Sequence, residues 1–305
     1  VHLREHGIKD TPIMVLFQSE PFKELVDYEL TPVVHSFDTL KRLSDFAKSI
    51  NRPIPVHINI DTGMGRMGIP YEKVVHDPHQ LIGSAHNIQI EGVMSHFSDA
   101  DSPDTEFTMI QLERFREVVD MLRKSGLNFI SHIANSAAIL RYEEACLDAV
   151  RPGLMLYGGD PFVNSGLEPA MTVKTGILDV RRLGRGTPVS YGRTFYTMRE
   201  SVVGVVPVGY ADGLHRAGSN RLEFLVKGKR VPVIGRICMD LTMIDLTEID
   251  DVTPGEEVVI IGKQGGEEIR VEEFAERIGT IPYEVMTSFG YMKSKSFSGI
   301  PGDEV

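Results

Sequence analysis

Cysteine is scarce in this chain. Its 305 residues hold two, Cys146 and Cys238, too few for a disulfide scaffold and too far apart for a metal or redox motif. A reducing, cytoplasmic compartment is therefore expected. Positive charge is also short, with 32 Lys and Arg against 43 Asp and Glu, a net charge of −11 and a pI near 5.4. That balance argues against a nucleic-acid partner, though it leaves room for a local basic pocket that takes a phosphate. No apolar run approaches the ~18 residues of a membrane-spanning helix. Internal repeats and low-complexity tracts are missing too. The opening Val1-His2-Leu3-Arg4-Glu5-His6 has no initiating Met, does not read as a signal peptide and begins in mid-helix character, so residues are expected ahead of Val1.

What remains is an ordinary globular composition, 42% hydrophobic and 25% charged, over a length that suggests two domains rather than one core. The first half alternates apolar runs with amphipathic stretches. Strands are expected at Pro12–Phe17, Pro32–His35, Val56–Ile60, Gln89–His96, Phe129–Ala134 and Ala149–Tyr157. Between them, Thr39–Ile50 puts Leu43, Phe46, Ala47 and Ile50 on one helical face. Glu106–Lys124 does the same with Phe107, Ile110, Phe115, Val118 and Leu122, behind Asp104 as N-cap. Strand–helix alternation implies a parallel sheet. Six strands within about 165 residues are too few for a closed (β/α)8 barrel, so the fold class is α/β. It is either an open doubly wound sheet or an incomplete (β/α)8 TIM-type barrel with about six of its eight strands. The second is favoured by the abrupt N-terminus.

After Gly166 the texture changes. Thr172–Val180, Ser201–Val208, Arg221–Val226, Arg230–Val233, Cys238–Leu246 and Glu257–Ile261 read as strands with no long helix between them. Gly228 marks a hairpin, Gly265-Gly266 another turn, and a short helix Val271–Ile278 ends at Gly279. Residues 1–166 are thus expected to form a partial β/α barrel and 167–305 a β-rich C-terminal domain.

Four motifs fall at expected strand ends, where a barrel would gather them on one face. Asn59-Ile60-Asp61-Thr62-Gly63-Met64-Gly65-Arg66-Met67-Gly68 combines glycines that admit close backbone approach with an arginine suited to an oxyanion or phenolate; a tight turn with a solvated arginine fits as well. Ser95-His96-Phe97 offers a histidine for stacking, base catalysis or, with Asp99, Asp101 and His132, a metal; it is equally compatible with a structural histidine. In Ala134-Asn135-Ser136-Ala137-Ala138 a helix start offers N–H groups and two side-chain donors to an anion, or simply caps itself. Arg151-Pro152-Gly153 can set a guanidinium against a ring nitrogen and an N–H against a phosphate, or Arg151 can pair with Asp148.

With Ser190-Tyr191-Gly192, Gly209-Tyr210-Ala211-Asp212-Gly213 and Cys238-Met239-Asp240, these motifs occur in an order that resembles the alanine racemases, fold-type III pyridoxal-phosphate enzymes, over essentially the whole chain. The resemblance implies a pyridoxal 5'-phosphate cofactor, with Arg151 at its ring nitrogen, Arg66 near its phenolic oxygen and the substrate carboxylate, and His96 stacked behind the ring. It places Asn135, Ser136, Gly153 and Tyr291 about the phosphate, makes Tyr191 one of two opposed proton-transfer bases, and brings Met239 to the substrate carboxylate through its backbone N–H. Tyr191 and Met239 reach the site from a second subunit in this family, so a homodimer acting on alanine for cell-wall precursor supply is implied. An arginine cannot protonate the ring, which leaves the cofactor a weaker electron sink and suits racemisation over decarboxylation or transamination.

The family's other base is a lysine that also holds the cofactor covalently, in a Lys-Ala-Asn/Asp-Ala-Tyr-Gly string that does not occur in these residues. Asn59 stands where many members have a carbamylated lysine, and Met292 and Lys295 stand where arginines are usual. A broader amino-acid or serine racemase, a non-catalytic pyridoxal-phosphate-binding chain and a metal-dependent hydrolase are the competing readings.

Overall fold

The computed structural model describes residues 1–17, 20–162 and 165–290. Contacts divide the chain into two compact units, Val1–Gly153 and Leu154–Val305. In the first, five strands run parallel: β1 (Ile13–Val15), β2 (Leu30–Val34), β3 (Ile54–Asp61), β4 (Ile88–Met94) and β5 (Ile130–His132). The two-residue segment Ile69–Pro70 pairs with the end of β3 and makes a sixth. Neighbours in the sheet follow the chain order from β1 to β5. A doubly wound sheet would reverse order at a switch point, so this is the arc of a (β/α)8 barrel. Val56, Ile58 and Ile60 alternate with His57 and Asn59 along β3, and all five are buried, as a sheet covered on both faces requires.

The helices form where the periodicity places them, with their faces turned slightly. Phe37–Ser49 starts at Ser36, whose Oγ accepts from the Thr39 N–H at 3.1 Å, and buries Leu40, Leu43 and Ala47; Ile50 lies past its end and is exposed. Glu106–Lys124 buries Thr108, Gln111, Leu112, Phe115, Val118, Val119 and Leu122, whereas Phe107 is exposed. Asp104 accepts from the Glu106 N–H at 3.0 Å, so it serves the first turn although Thr105 occupies the cap position. The expected strand Ala149–Tyr157 is not one. Its start follows β5 through single hydrogen bonds, such as Arg151 N–H to Ala134 O at 3.0 Å, and Leu154–Tyr157 turns into a 3-10 helix. Pro152 has no N–H for a ladder, which ends the pairing there.

The second unit holds antiparallel sheets. One orders β11 (Thr242–Asp245), β8 (Ser201–Val206) and β7 (Asp179–Leu183). A larger one orders β10 (Lys229–Pro232), β9 (Glu223–Val226), β12 (Glu257–Gln264) and β13 (Glu267–Ile269), with β6 (Val173–Gly176) also paired to β12, and Pro188–Val189 pairs with Phe195–Tyr196 in a third. The expected strand Thr172–Val180 is thus two strands broken at Ile177-Leu178, and Cys238–Leu246 pairs only over Thr242–Asp245. Phe224, Val226, Ile244, Val258, Ile260 and Phe274 form the centre of its core. The helix Val271–Ile278 ends at Gly279, which takes the left-handed conformation at φ 75°. Among the described residues no helix is long and apolar enough to cross a membrane.

Candidate active site

Because β2 to β5 are parallel, the residues after each strand collect at one end of the sheet. There, within the first unit, a cleft is lined by Asn59, Arg66, Ser95, His96 and Arg151, with Phe17 among its apolar walls. Each polar group is placed by its own local device. The loop after β3 is tied down by the Asp61 carboxylate, which accepts from the N–H groups of Gly63 at 2.9 Å and Gly65 at 3.1 Å. Gly68, at φ 135°, lies so close to the start of this loop that a Cβ would meet the Asp61 nitrogen at 2.7 Å. The loop holds Arg66 exposed at the cleft. Asn59 does not hold Arg66. Its amide donates to Met67 O at 2.8 Å and to His35 Nδ1 at 3.1 Å, while its Oδ1 is buried without a partner.

His96 is carried by a buried polar cluster. Gln111, fully buried on the helix Glu106–Lys124, donates to His96 O at 3.1 Å and to Thr62 Oγ1 at 3.3 Å, and its Oε1 accepts from Ser98 N–H and Oγ, both at 3.0 Å. Thr62 and Ser95 share a hydroxyl hydrogen bond of 2.8 Å. One side chain thus fastens two of the strand-end loops together. Burial, then the Arg151 and Arg66 charges, lowers His96 to a pKa of about 4.

Arg151 is not paired with Asp148. That carboxylate is taken by Arg123 and Ser131, each at 2.5 Å. Among the described residues Arg151 instead donates only to neutral acceptors: from Nη1 to His132 Nδ1 at 2.5 Å and His132 O at 3.0 Å, and from Nη2 to Ser95 O at 2.6 Å, Ile133 O and His96 Nδ1, both at 3.2 Å. Burial lowers its pKa to about 10, so it stays a cation at neutral pH. Asn135 caps the helix Ser136–Arg141, accepting from Ala138 N–H at 3.0 Å, and the buried Ser136 Oγ accepts from Gly153 N–H at 2.9 Å.

In the second unit Tyr191 and Met239 are 70% and 53% exposed. Their turns are joined locally: Ser190 Oγ donates to Arg236 O at 2.5 Å, and Tyr210 and Ala211 N–H donate to Cys238 O and Met239 O, both at 3.0 Å. Tyr291 lies outside the described residues. No group of three or more metal-ligating side chains stands together among the described residues. Sequence reasoning missed Gln111 and His57. The signals were there: a glutamine in phase with an apolar stripe, and Gly92 inside a strand.

The family models settle the lineage: the alanine racemase N-terminal domain matches residues 1–161 and the alanine racemase C-terminal domain residues 170–296. The chain belongs to the alanine racemase family. An alanine racemase of Thermodesulfovibrio yellowstonii is 50% identical over 288 residues, 94% of this chain and 77% of that protein. Among solved structures, the alanine racemase from Bacillus anthracis with bound L-Ala-P superposes with a TM-score of 0.83 at 34% identity, covering 94% of this chain and 76% of that one. The alanine racemase from Bartonella henselae, with covalently bound pyridoxal phosphate, gives 0.82 at 27% identity, covering 94% and 79%.

Proposed function

We infer that this chain is an isomerase that interconverts L- and D-alanine with pyridoxal 5'-phosphate as cofactor. The carrying observation is the Arg151 cation at the cleft. Both Nη groups are committed to neutral acceptors, and the Nε–H has no hydrogen bond to a described residue. That donor set fits a pyridine nitrogen, an acceptor that needs a hydrogen bond and receives no proton from a guanidinium.

When bound, pyridoxal phosphate supplies the electron withdrawal that lets a substrate α-proton leave. This chain's residues do the rest. Arg151 holds the ring nitrogen without protonating it. His96, a neutral imidazole, backs the ring. Ser136 Oγ and Gly153 N–H, already within 2.9 Å of each other, turn to the phosphate together with Asn135 and Tyr291. Arg66 meets the substrate carboxylate and the phenolic oxygen. Tyr191 moves a proton at the substrate α-carbon, and the Met239 N–H binds the substrate carboxylate. Both are exposed on their own unit, which supports their action in the site of a second copy in a homodimer. Residues 1–166 carry the cofactor, with Tyr291 added from 167–305, which forms the β-rich part; the enzyme works in the cytoplasm and feeds D-alanine to peptidoglycan synthesis.

The test joins this chain behind the N-terminal segment of the Thermodesulfovibrio yellowstonii alanine racemase, which is expected to supply the covalent lysine. The product should be yellow with cofactor and should interconvert the alanine enantiomers. A folded, cofactor-loaded fusion that leaves L-alanine unchanged overturns the reading.

A further inference from the structure

Behind Arg151 lies a second imidazole that the proposed chemistry does not use. His132 Nε2 is 2.7 Å from His57 Nδ1, with ring centroids 4.9 Å apart, and both side chains are buried. A guanidinium has no acceptor, so the 2.5 Å contact from Arg151 Nη1 requires a lone pair on His132 Nδ1. The only proton of a neutral His132 is then on Nε2, and it is donated to His57 Nδ1. That nitrogen must be bare in turn, which leaves His57 protonated at Nε2 alone. One fixed cation thereby sets both tautomers.

The fold makes room for this at a specific place. A Cβ on Gly92 of β4 would meet the His57 ring at 2.2 Å, and the β3–β4 pairing shifts register between Val56 and His57. Glycine inside a strand weakens it, so the close approach of the ring is what the position accommodates.

We infer that His57 and His132 form a relay of two neutral imidazoles that holds the Arg151 guanidinium in register, making both positioning residues for the ring nitrogen of the cofactor. The inference rests on the reading of Arg151 given above. Among the described residues Arg151 and, across it, His96 are the charged and titratable groups that face the relay, and no carboxylate takes part in its hydrogen bonds. Burial first, and the Arg151 charge second, lower the pKa of both relay histidines, that of His132 to about 3.

Nitrogen-15 spectra of the histidines in the 305-residue chain without cofactor test the relay itself. Expected is a bare Nδ1 and protonated Nε2 on both rings at pH 7, with His132 unchanged down to pH 5. A proton on His132 Nδ1, or charging of either ring near pH 6.5, overturns it. His57→Leu removes the acceptor and should weaken pyridoxal phosphate binding about tenfold, read by fluorescence titration, and should shift the His132 signals. His57→Asn, whose Oδ1 can take the place of Nδ1, should restore both. Unchanged affinity and spectra in His57→Leu refute the positioning role. A wild-type chain that ignores pyridoxal phosphate refutes the cofactor reading instead, while the spectra still decide the relay.

Discussion

Two partly buried arginines in this chain solve the same problem in opposite ways. Arg230, in the β-rich unit, bonds Glu273 at 2.6 Å, Glu267 at 2.9 Å and Glu223 at 3.3 Å, and Arg277 shares two of these carboxylates. Hydrogen bonds to Glu273 and then Glu267 push its pKa above the ordinary value. Arg151, in the barrel unit, has imidazoles and carbonyls where Arg230 has carboxylates, and burial pushes its pKa down. A saturated cation serves the fold. One held only by neutral dipoles keeps an unneutralised charge and a spare donor for something else, at a cost in desolvation.

Replacing each arginine should separate the two roles. Arg151→Leu is expected to weaken pyridoxal phosphate binding by 100-fold or more, on the order of 3 kcal/mol, while the urea midpoint stays level or rises. A large loss of stability with affinity intact would erase the contrast. Arg230→Met should do the reverse. It leaves Glu267 without its cation and Glu223 and Glu273 with Arg277 alone, and should cost about 2–3 kcal/mol in urea unfolding, allowing for partial exposure, with cofactor affinity unchanged. Acid should distinguish the units next. His132 has a pKa of about 3 in the fold and about 6.5 once unfolded. Below pH 6.5 the unfolded chain therefore takes up a proton that the fold refuses. Stability is full above 6.5 and falls as the pH drops toward 3, by about 2 kcal/mol at pH 5. Hydrogen exchange at pH 7 and pH 5 should place this loss in the barrel unit, where His132 lies. Equal protection of β5 at the two pH values would contradict a neutral buried His132.

The helices and turns were readable because each obeys a local rule. Glu106–Lys124 and Val271–Ile278 keep the bounds that periodicity and the Gly279 cap predict, and the Lys227-Gly228 hairpin joins β9 to β10 as a turn glycine should. What went unread depends on distant partners. Phe107 matches the apolar stripe yet is exposed, because the buried face is turned toward Thr108 and Gln111, whose partners Asp99, Thr62, His96 and Ser98 come from loops that no helical wheel contains. Ala149–Tyr157 has the apolar content of a strand, but Pro152 breaks the ladder and the backbone departs into a 3-10 turn. The strand-end motifs were visible as strings. Their meeting at one cleft follows from parallel strands, whereas the neutral surroundings of Arg151 depend on His57 and His132, 75 positions apart on different strands.

Gly92 carries a constraint that can be read across the family without any experiment on this chain. A side chain there and an imidazole at position 57 cannot both keep these places, since a Cβ would meet the ring at 2.2 Å and force it to move. The two positions should therefore change together during divergence. Sequences with alanine or a larger residue at the first should have lost the histidine at the second, and with it the outer half of the relay.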